Sequence, residues 1–236
     1  IWDQDAKYFY YQHGPLARTE LGDNKVQAMD FAYTIHGWVK GVNSNTLNEA
    51  RDIGKDGDIT LPNLNSITGR DAFGYSLGYY DGDYQAIEPS NNLTANSFIA
   101  DITAAAYLQA NAPNLFNGNI AHMVSTITDL DPANAVPDGT PLPQLTAYKY
   151  DQLNRIKQMK AYRDINIITT NDWATATEDG SYETQVTYDA NGNILTMTRN
   201  GVAPTTQMDD MTYIYENQAN GYARNTNKLR YVTDAL

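Results

Sequence analysis

The stretch Thr187-Tyr188-Asp189-Ala190-Asn191-Gly192-Asn193-Ile194-Leu195-Thr196-Met197-Thr198-Arg199-Asn200-Gly201 decides the fold class. Ahead of and into it, Tyr182, Thr184, Val186 and Tyr188 fall on alternate positions, giving one strand face aromatic and β-branched side chains. Asp189 follows, a side chain that accepts hydrogen bonds from the backbone two residues on and so starts a turn. Asn191-Gly192 supplies the two residue types that tolerate a positive φ at least cost. Alternation resumes at Ile194, and Asn200-Gly201 offers the next reversal. The stretch reads as strand, turn, strand, turn.

The same arrangement recurs. Ala147-Tyr148-Lys149-Tyr150-Asp151-Gln152-Leu153-Asn154-Arg155-Ile156 repeats the Tyr-x-Tyr-Asp entry, the polar turn and the aliphatic restart, with Asn154 where glycine stood. Thr212-Tyr213-Ile214-Tyr215-Glu216-Asn217 repeats the entry with Glu for Asp, and residues 227–234 resemble the restarting strand. Upstream, residues 31–42 keep the spacing with His36-Gly37 as the turn, followed by Trp38. Tyr150, Tyr188 and Tyr215 stand 38 and 27 residues apart, too loose for a solenoid of fixed period. A hairpin array with insertions fits.

At these residues the chain resembles the Rhs/YD-repeat family, whose signature is Tyr-Asp, a short turn, Gly-Asn or Gly-Arg, then Leu or Ile. Tyr188-Asp189-Ala190-Asn191-Gly192-Asn193-Ile194 matches throughout, and Tyr150-Asp151-Gln152-Leu153-Asn154-Arg155-Ile156 matches with Asn for Gly. Tyr11-Gln12-His13-Gly14-Pro15-Leu16-Ala17-Arg18-Thr19-Glu20, Gly37-Trp38-Val39-Lys40-Gly41-Val42-Asn43, Asp71-Ala72-Phe73-Gly74-Tyr75-Ser76-Leu77-Gly78-Tyr79 and Leu115-Phe116-Asn117-Gly118-Asn119-Ile120 are similar to further Rhs segments. The resemblance implies a mainly β fold of consecutive antiparallel hairpins in a curved, spiralling sheet that forms part of a hollow shell. In Rhs and related Tc-toxin proteins that shell encloses a C-terminal effector, often a toxin, and has no chemistry of its own across most of its length. Implied partners are the rest of the same shell, an enclosed effector domain, and secretion machinery or a shell-capping protein; the implied location is secreted or at the cell surface. The motif residues Tyr148, Tyr150, Asp151, Asn154, Tyr188, Asp189, Asn191, Gly192, Asn193, Ile194, Tyr213, Tyr215, Gly37 and Trp38 carry a structural role, with no catalytic, cofactor or metal residue among them. The family's closing segments, Asp-Pro-x-Gly and Tyr-Asp-Pro-x-x-Gly-Arg-Phe, do not occur in these residues, so the resemblance assigns neither self-cleavage nor toxicity.

Composition narrows the classes. There is no cysteine, which excludes disulfides, thiolate metal sites and a Cys nucleophile. Eighteen tyrosines against five phenylalanines favour sheet with half-buried, hydrogen-bonding aromatics. A net charge of −12 argues against nucleic acid or an anionic membrane as partner and serves solubility. No apolar run approaches the ~20 residues of a membrane helix. Ile1 enters mid-pattern without a signal segment and Leu236 follows a strand, so the expectation is a fragment: one repeat array over residues 1–236, with insertions at 43–70, 88–114, 129–144 and 163–180.

Three groups invite chemistry. His13 and His36 each sit beside a glycine at a reversal, where imidazole serves as a backbone hydrogen-bonding group, and no nucleophile motif accompanies them. Asp52-Ile53-Gly54-Lys55-Asp56-Gly57-Asp58-Ile59 looks like half of a calcium loop, but its third position is Gly54 and its twelfth Asn63, so two ligands fail and an Asp/Gly turn is the reading. Asp81, Asp83 and Glu88 beside Tyr79, Tyr80 and Tyr84 have the composition of a glycosidase acid pair, yet Asp-Gly-Asp between strands is turn chemistry. Phe73, Tyr75 and Leu77 share one strand face. Residues 97–110 (Phe98, Ile99, Ile102, Ala105, Ala106, Leu108) have helical spacing, with Asn96 or Ser97 as cap and Pro113 beyond the end, so a short helix or loop is expected near 96–110. Besides the shell, two readings stand open: an extracellular module binding glycans or a partner cell, and an enzyme acting on polysaccharide.

Overall fold

The computed structural model describes residues 3–58, 65–92, 95–103, 105–128, 143–164, 166–178, 180–202 and 207–236. Almost all of the loop expected at 129–144 lies outside them. The strands are β1 (Ala6–Tyr10), β2 (Leu16–Leu21), β3 (Gln27–Tyr33), β4 (Val39–Val42), β5 (Phe73–Gly78), β6 (His122–Ile127), β7 (Gln144–Tyr150), β8 (Ile156–Arg163), β9 (Thr184–Tyr188), β10 (Ile194–Asn200), β11 (Gln207–Tyr215) and β12 (Leu229–Asp234). Two short helices, α1 (Ala106–Asn111) and α2 (Ile167–Thr170), lie between strands. All twelve strands join one sheet whose order follows the chain, and each strand pair whose register is described is antiparallel. Among the described residues no helix is long and apolar enough to cross a membrane.

One irregularity recurs in the registers. Beside the turn of β1–β2, Tyr10 faces Leu16 but Phe9 faces Arg18, so Ala17 is bulged. In β3–β4, Tyr33 faces Val39 and Ala32 faces Gly41, which bulges Lys40. The β9–β10 and β11–β12 hairpins bulge Leu195 and Arg230 in the same way. A bulge of this kind sharpens the right-handed twist of its hairpin.

The chain divides into two compact units: residues 1–145 with 163–177, and residues 146–162 with 178–236. In the first, the segments between strands fold back as a covering layer. The inward positions of β3, β5 and β6 are small or polar: Ala28, Asp30 and Ala32, then Gly74, Ser76 and Gly78, then His122, Val124 and Thr126. Against this face lies Asn43-Ser44-Asn45-Thr46, a polar run with no solvent exposure. Its burial is possible because its amides are bonded: Asn43 Nδ2 donates to Phe73 O (2.9 Å), Asn45 Nδ2 to Ser76 Oγ (3.1 Å), and Asn45 Oδ1 accepts from Ala100 N (3.0 Å). The same unit buries Phe98, Leu108, Ile167 and Trp173, the last two wholly. Arg51 ties the layer together, donating to the carbonyls of Ala95, Ile168 and Thr169.

One expectation holds here and one changes. Phe73, Tyr75 and Leu77 share a face, which is the half-exposed one; the glycines and Ser76 face the covered side. The cause is close approach: a methyl on Gly74 would overlap Ser44 O, and one on Gly78 the His122 ring. The helix expected over 97–110 forms only at Ala106–Asn111, without a side-chain cap, because Asn45 engages the backbone of Phe98 and Ala100 in an extended path.

In the second unit β10 and β11 are half-buried and β12 is exposed along its length. Leu195, Met208, Tyr231 and Val232 are exposed there.

Candidate functional site: the tyrosine-led turns and a buried carboxylate cluster

The sequence-predicted motif residues build one device, used repeatedly. In residues 11–15, 34–38, 151–155 and 189–193 the first N–H donates to the fifth carbonyl at 2.8–2.9 Å, and the fourth N–H to the first carbonyl at 2.9–3.1 Å. The fourth position needs a positive φ: Gly14 (+112°), Gly37 (+80°), Asn154 (+62°) and Gly192 (+93°). At the first position the side chains of Thr34, Asp151 and Asp189 accept from the fifth N–H, at 3.2, 3.0 and 2.8 Å. The side chains of Arg155 and Asn193, bonded to Asp151 and Asp189, and after them these backbone bonds hold both aspartates below the usual carboxylate range.

The tyrosine just ahead of a turn reaches to an earlier hairpin. Tyr188 Oη donates to Ile156 O (2.8 Å), Tyr215 Oη to Ile194 O (3.0 Å) and Tyr79 Oη to Val39 O (2.9 Å). Each accepting carbonyl belongs to the residue immediately after a five-residue turn, and at Val39 and Ile194 it stands next to the bulge position, where the ladder is broken and a donor is wanted. Arg155 adds a second link, with its guanidinium 4.4 Å over the Tyr188 ring, 2.6 Å from Asp151 Oδ2 and bonded to Asp189 O. Asn191 and Asn193 both donate to Asn227 Oδ1. Tyr148, Tyr150 and Tyr213 sit half-buried on β7 and β11. Trp38 packs on the rings of Tyr79 (4.9 Å) and His36 (5.1 Å).

The other singled-out groups are committed elsewhere. His13 stacks on Tyr11 at 5.3 Å, and both imidazoles sit on their turns as read. Asp83 forms a buried ion pair with Lys40 at 2.7 Å and accepts from Tyr79 N; Asp81 exchanges hydrogen bonds with Asn114; Glu88 is exposed. Asp83 is therefore spoken for as a counter-ion. Beside this pair His122 is buried, and burial together with the Lys40 charge lowers its pKa to about 3.

A site that the half calcium loop at residues 52–59 announced only in part lies where β2, β3 and the segment after β4 meet. Arg18 is its centre: Nε bonds Glu20 Oε1 (3.2 Å), Nη1 bonds Asp30 Oδ2, and Nη2 bonds Asp56 Oδ1 (2.7 Å). Lys25 Nζ reaches Glu20 at 3.2 Å, and Asp56 N donates to Asp52 Oδ2 at 3.1 Å. Oxygens of Asp30, Asp52 and Asp56 all lie within 4.8 Å of one another. Asp71 lies within side-chain hydrogen-bonding reach of Asp52, and two carboxyls bond each other only when one keeps a proton. Burial, followed by the neighbouring aspartates, raises Asp71 to about 10; burial, opposed by Arg18, raises Asp30 to about 7. Burial also raises Asp56, against its bonds to Arg18. Gly54 lets the backbone close over the cluster, since a methyl there would overlap Asp30 Oδ2 and Arg18 Nη1.

Sequence reasoning weighed Asp52 and Asp56 only as a linear loop. Their partners Arg18 and Asp30 lie on strands 38 and 26 positions before Asp56. Hydropathy gave no signal for them: Asp30 alternates with Met29 and Phe31, the more apolar side of β3, and Arg18 shares its side of β2 with Glu20. No family model matches the chain, and no curated protein does.

Proposed function

We propose that this chain is a wall segment of an Rhs/YD-repeat shell, which encloses a passenger domain in a secreted or surface-delivered protein and performs no reaction itself. The single observation carrying the reading is the recurrence of one unit: five-residue turn, bulge beside it, and a tyrosine hydroxyl bridging to the residue after an earlier turn. Such units stabilise each other through neighbour contacts, so the array grows by adding hairpins. Repeated bulges add right-handed twist at each step, which favours a curving wall over a flat sheet. The exposed apolar side chains of β10–β12 suit a wall that further chain or a passenger covers. Electron cryo-microscopy and limited proteolysis of the full-length polypeptide test this. The expected result is a protease-protected passenger inside a hollow particle; a passenger cleaved as readily as its isolated form, beside an open sheet, overturns it.

One observation favours a binding module instead. On the exposed β12 region Arg230 lies 5.3 Å over the Tyr222 ring and 5.8 Å over Tyr231, an aromatic and cationic group of the kind that stacks on sugars or partner side chains. Saturable glycan or cell binding by the chain, lost in Tyr231→Ala, would select this reading.

A further inference from the structure

We propose that Asp30, Asp52 and Asp56, with Asp71 beside them, form a binding site for a divalent cation of the calcium class. The inference does not rest on the shell reading. An Asp/Gly turn that served only to reverse the chain would leave its carboxylates in water, whereas Asp52 is 4% exposed and Asp56 2%. Among buried side-chain oxygens, Asp56 Oδ2 accepts from no donor, and Asp52 Oδ1 has none other than a proton kept by Asp71. A buried carboxylate oxygen without a donor is costly, and in native proteins such an atom calls for a ligand.

The charge balance points the same way. Glu20, Asp30, Asp52 and Asp56 face two cationic side chains, Arg18 and Lys25, while Asp71, which keeps its proton, adds no charge. Arg18 uses one oxygen of Asp56, Oδ1, and leaves the orphan Oδ2; Asp52 likewise uses Oδ2 for Asp56 N and leaves Oδ1. The two atoms so left belong to the very residues whose oxygens gather with Asp30. Two ligands across one calcium ion stand at most about 4.8 Å apart when each bond is about 2.4 Å, so the spacing admits a shared ion. The donors are all hard oxygens and arise from separate segments, β3 and the loop after β4, which suits an ion tolerant of irregular geometry better than magnesium, with its strict octahedron. The competing arrangement needs no ion: a proton retained between Asp71 and Asp52 relieves part of the repulsion.

Calorimetry and thermal unfolding of the 236-residue chain, stripped with chelator and titrated near neutral pH with calcium or magnesium chloride, separate the two. The expected result is one calcium per chain, magnesium bound more weakly, and a melting temperature raised by about 5–10 °C at a hundredfold excess over Kd. Asp52→Asn and Asp56→Asn should each weaken calcium binding at least about tenfold. Asp52→Asn, outside the set bonded to Arg18, should in chelator melt no lower than the parent, because it removes an uncompensated buried charge; circular dichroism in chelator verifies its fold. Absence of heat and of any melting shift up to about 10 mM calcium overturns the site and leaves the proton-sharing pair. Calcium binding that survives in folded Asp52→Asn also overturns it.

Discussion

The fourth place of each five-residue turn sits in the left-handed region, and three of the four turns meet that demand with glycine while one uses Asn154. Gly192→Ala should therefore cost about 1–2 kcal/mol in urea unfolding, the penalty of a Cβ at positive φ. Asn154→Gly at the equivalent place should be neutral or gain a few tenths, and a marked loss there would contradict the equivalence. The bridging hydroxyls give a second expectation: Tyr188→Phe and Tyr215→Phe should each lose about 1 kcal/mol by orphaning Ile156 O or Ile194 O, while Tyr10→Phe, at an exposed position, loses none. Chemical denaturation of the three variants side by side checks this. Tyr, Asp and Gly were legible at these places because turn chemistry is local. The hydroxyl's destination was not, since its acceptor lies 21 to 40 residues upstream and depends on which hairpin becomes the neighbour.

Strand alternation was legible in β5, but which face becomes buried was not. Hydropathy favours the side bearing Phe73, Tyr75 and Leu77; close backbone packing by Asn43-Ser44-Asn45-Thr46 selects the side bearing Gly74, Ser76 and Gly78. The same tightness places His122 against Gly78, near the Lys40–Asp83 pair, where it stays neutral. Folded His122 gains a proton only near pH 3, against 6.5 for the free side chain, so between those values the unfolded chain binds more protons. Stability should fall as pH is lowered through that window, by at most about 1.4 kcal/mol per pH unit from this residue. Asp30 and Asp71, with raised values, act in the opposite sense, so the quantity to measure is the pH slope of wild type minus that of His122→Asn. Equal slopes would remove His122 from the account. The helix near 96–110 was legible as a short apolar period, and its early half was lost to the buried asparagine that holds it extended.

The two compact units differ in how they are covered, and hydrogen exchange should report it. Amides of β5 and β6, beneath the polar layer, should exchange last, and those of β12 among the first; slower exchange in β12 than in β5 would reverse that order. The hairpin array as a whole was readable from its turns, whereas the carboxylate cluster was not, because Arg18, Asp30, Asp52, Asp56 and Asp71 are neighbours only after β2, β3 and the segment between β4 and β5 are assembled. The recurring bulge at Ala17, Lys40, Leu195 and Arg230 has a last consequence. Because each hairpin resets its own phase beside its turn, extra length at the opposite ends, as between β4 and β5 or β8 and β9, leaves the pairing in step. The fold is for that reason a natural display scaffold: a foreign epitope spliced between Asp23 and Asn24, in the exposed link from β2 to β3, should ride on the array without shifting a single strand.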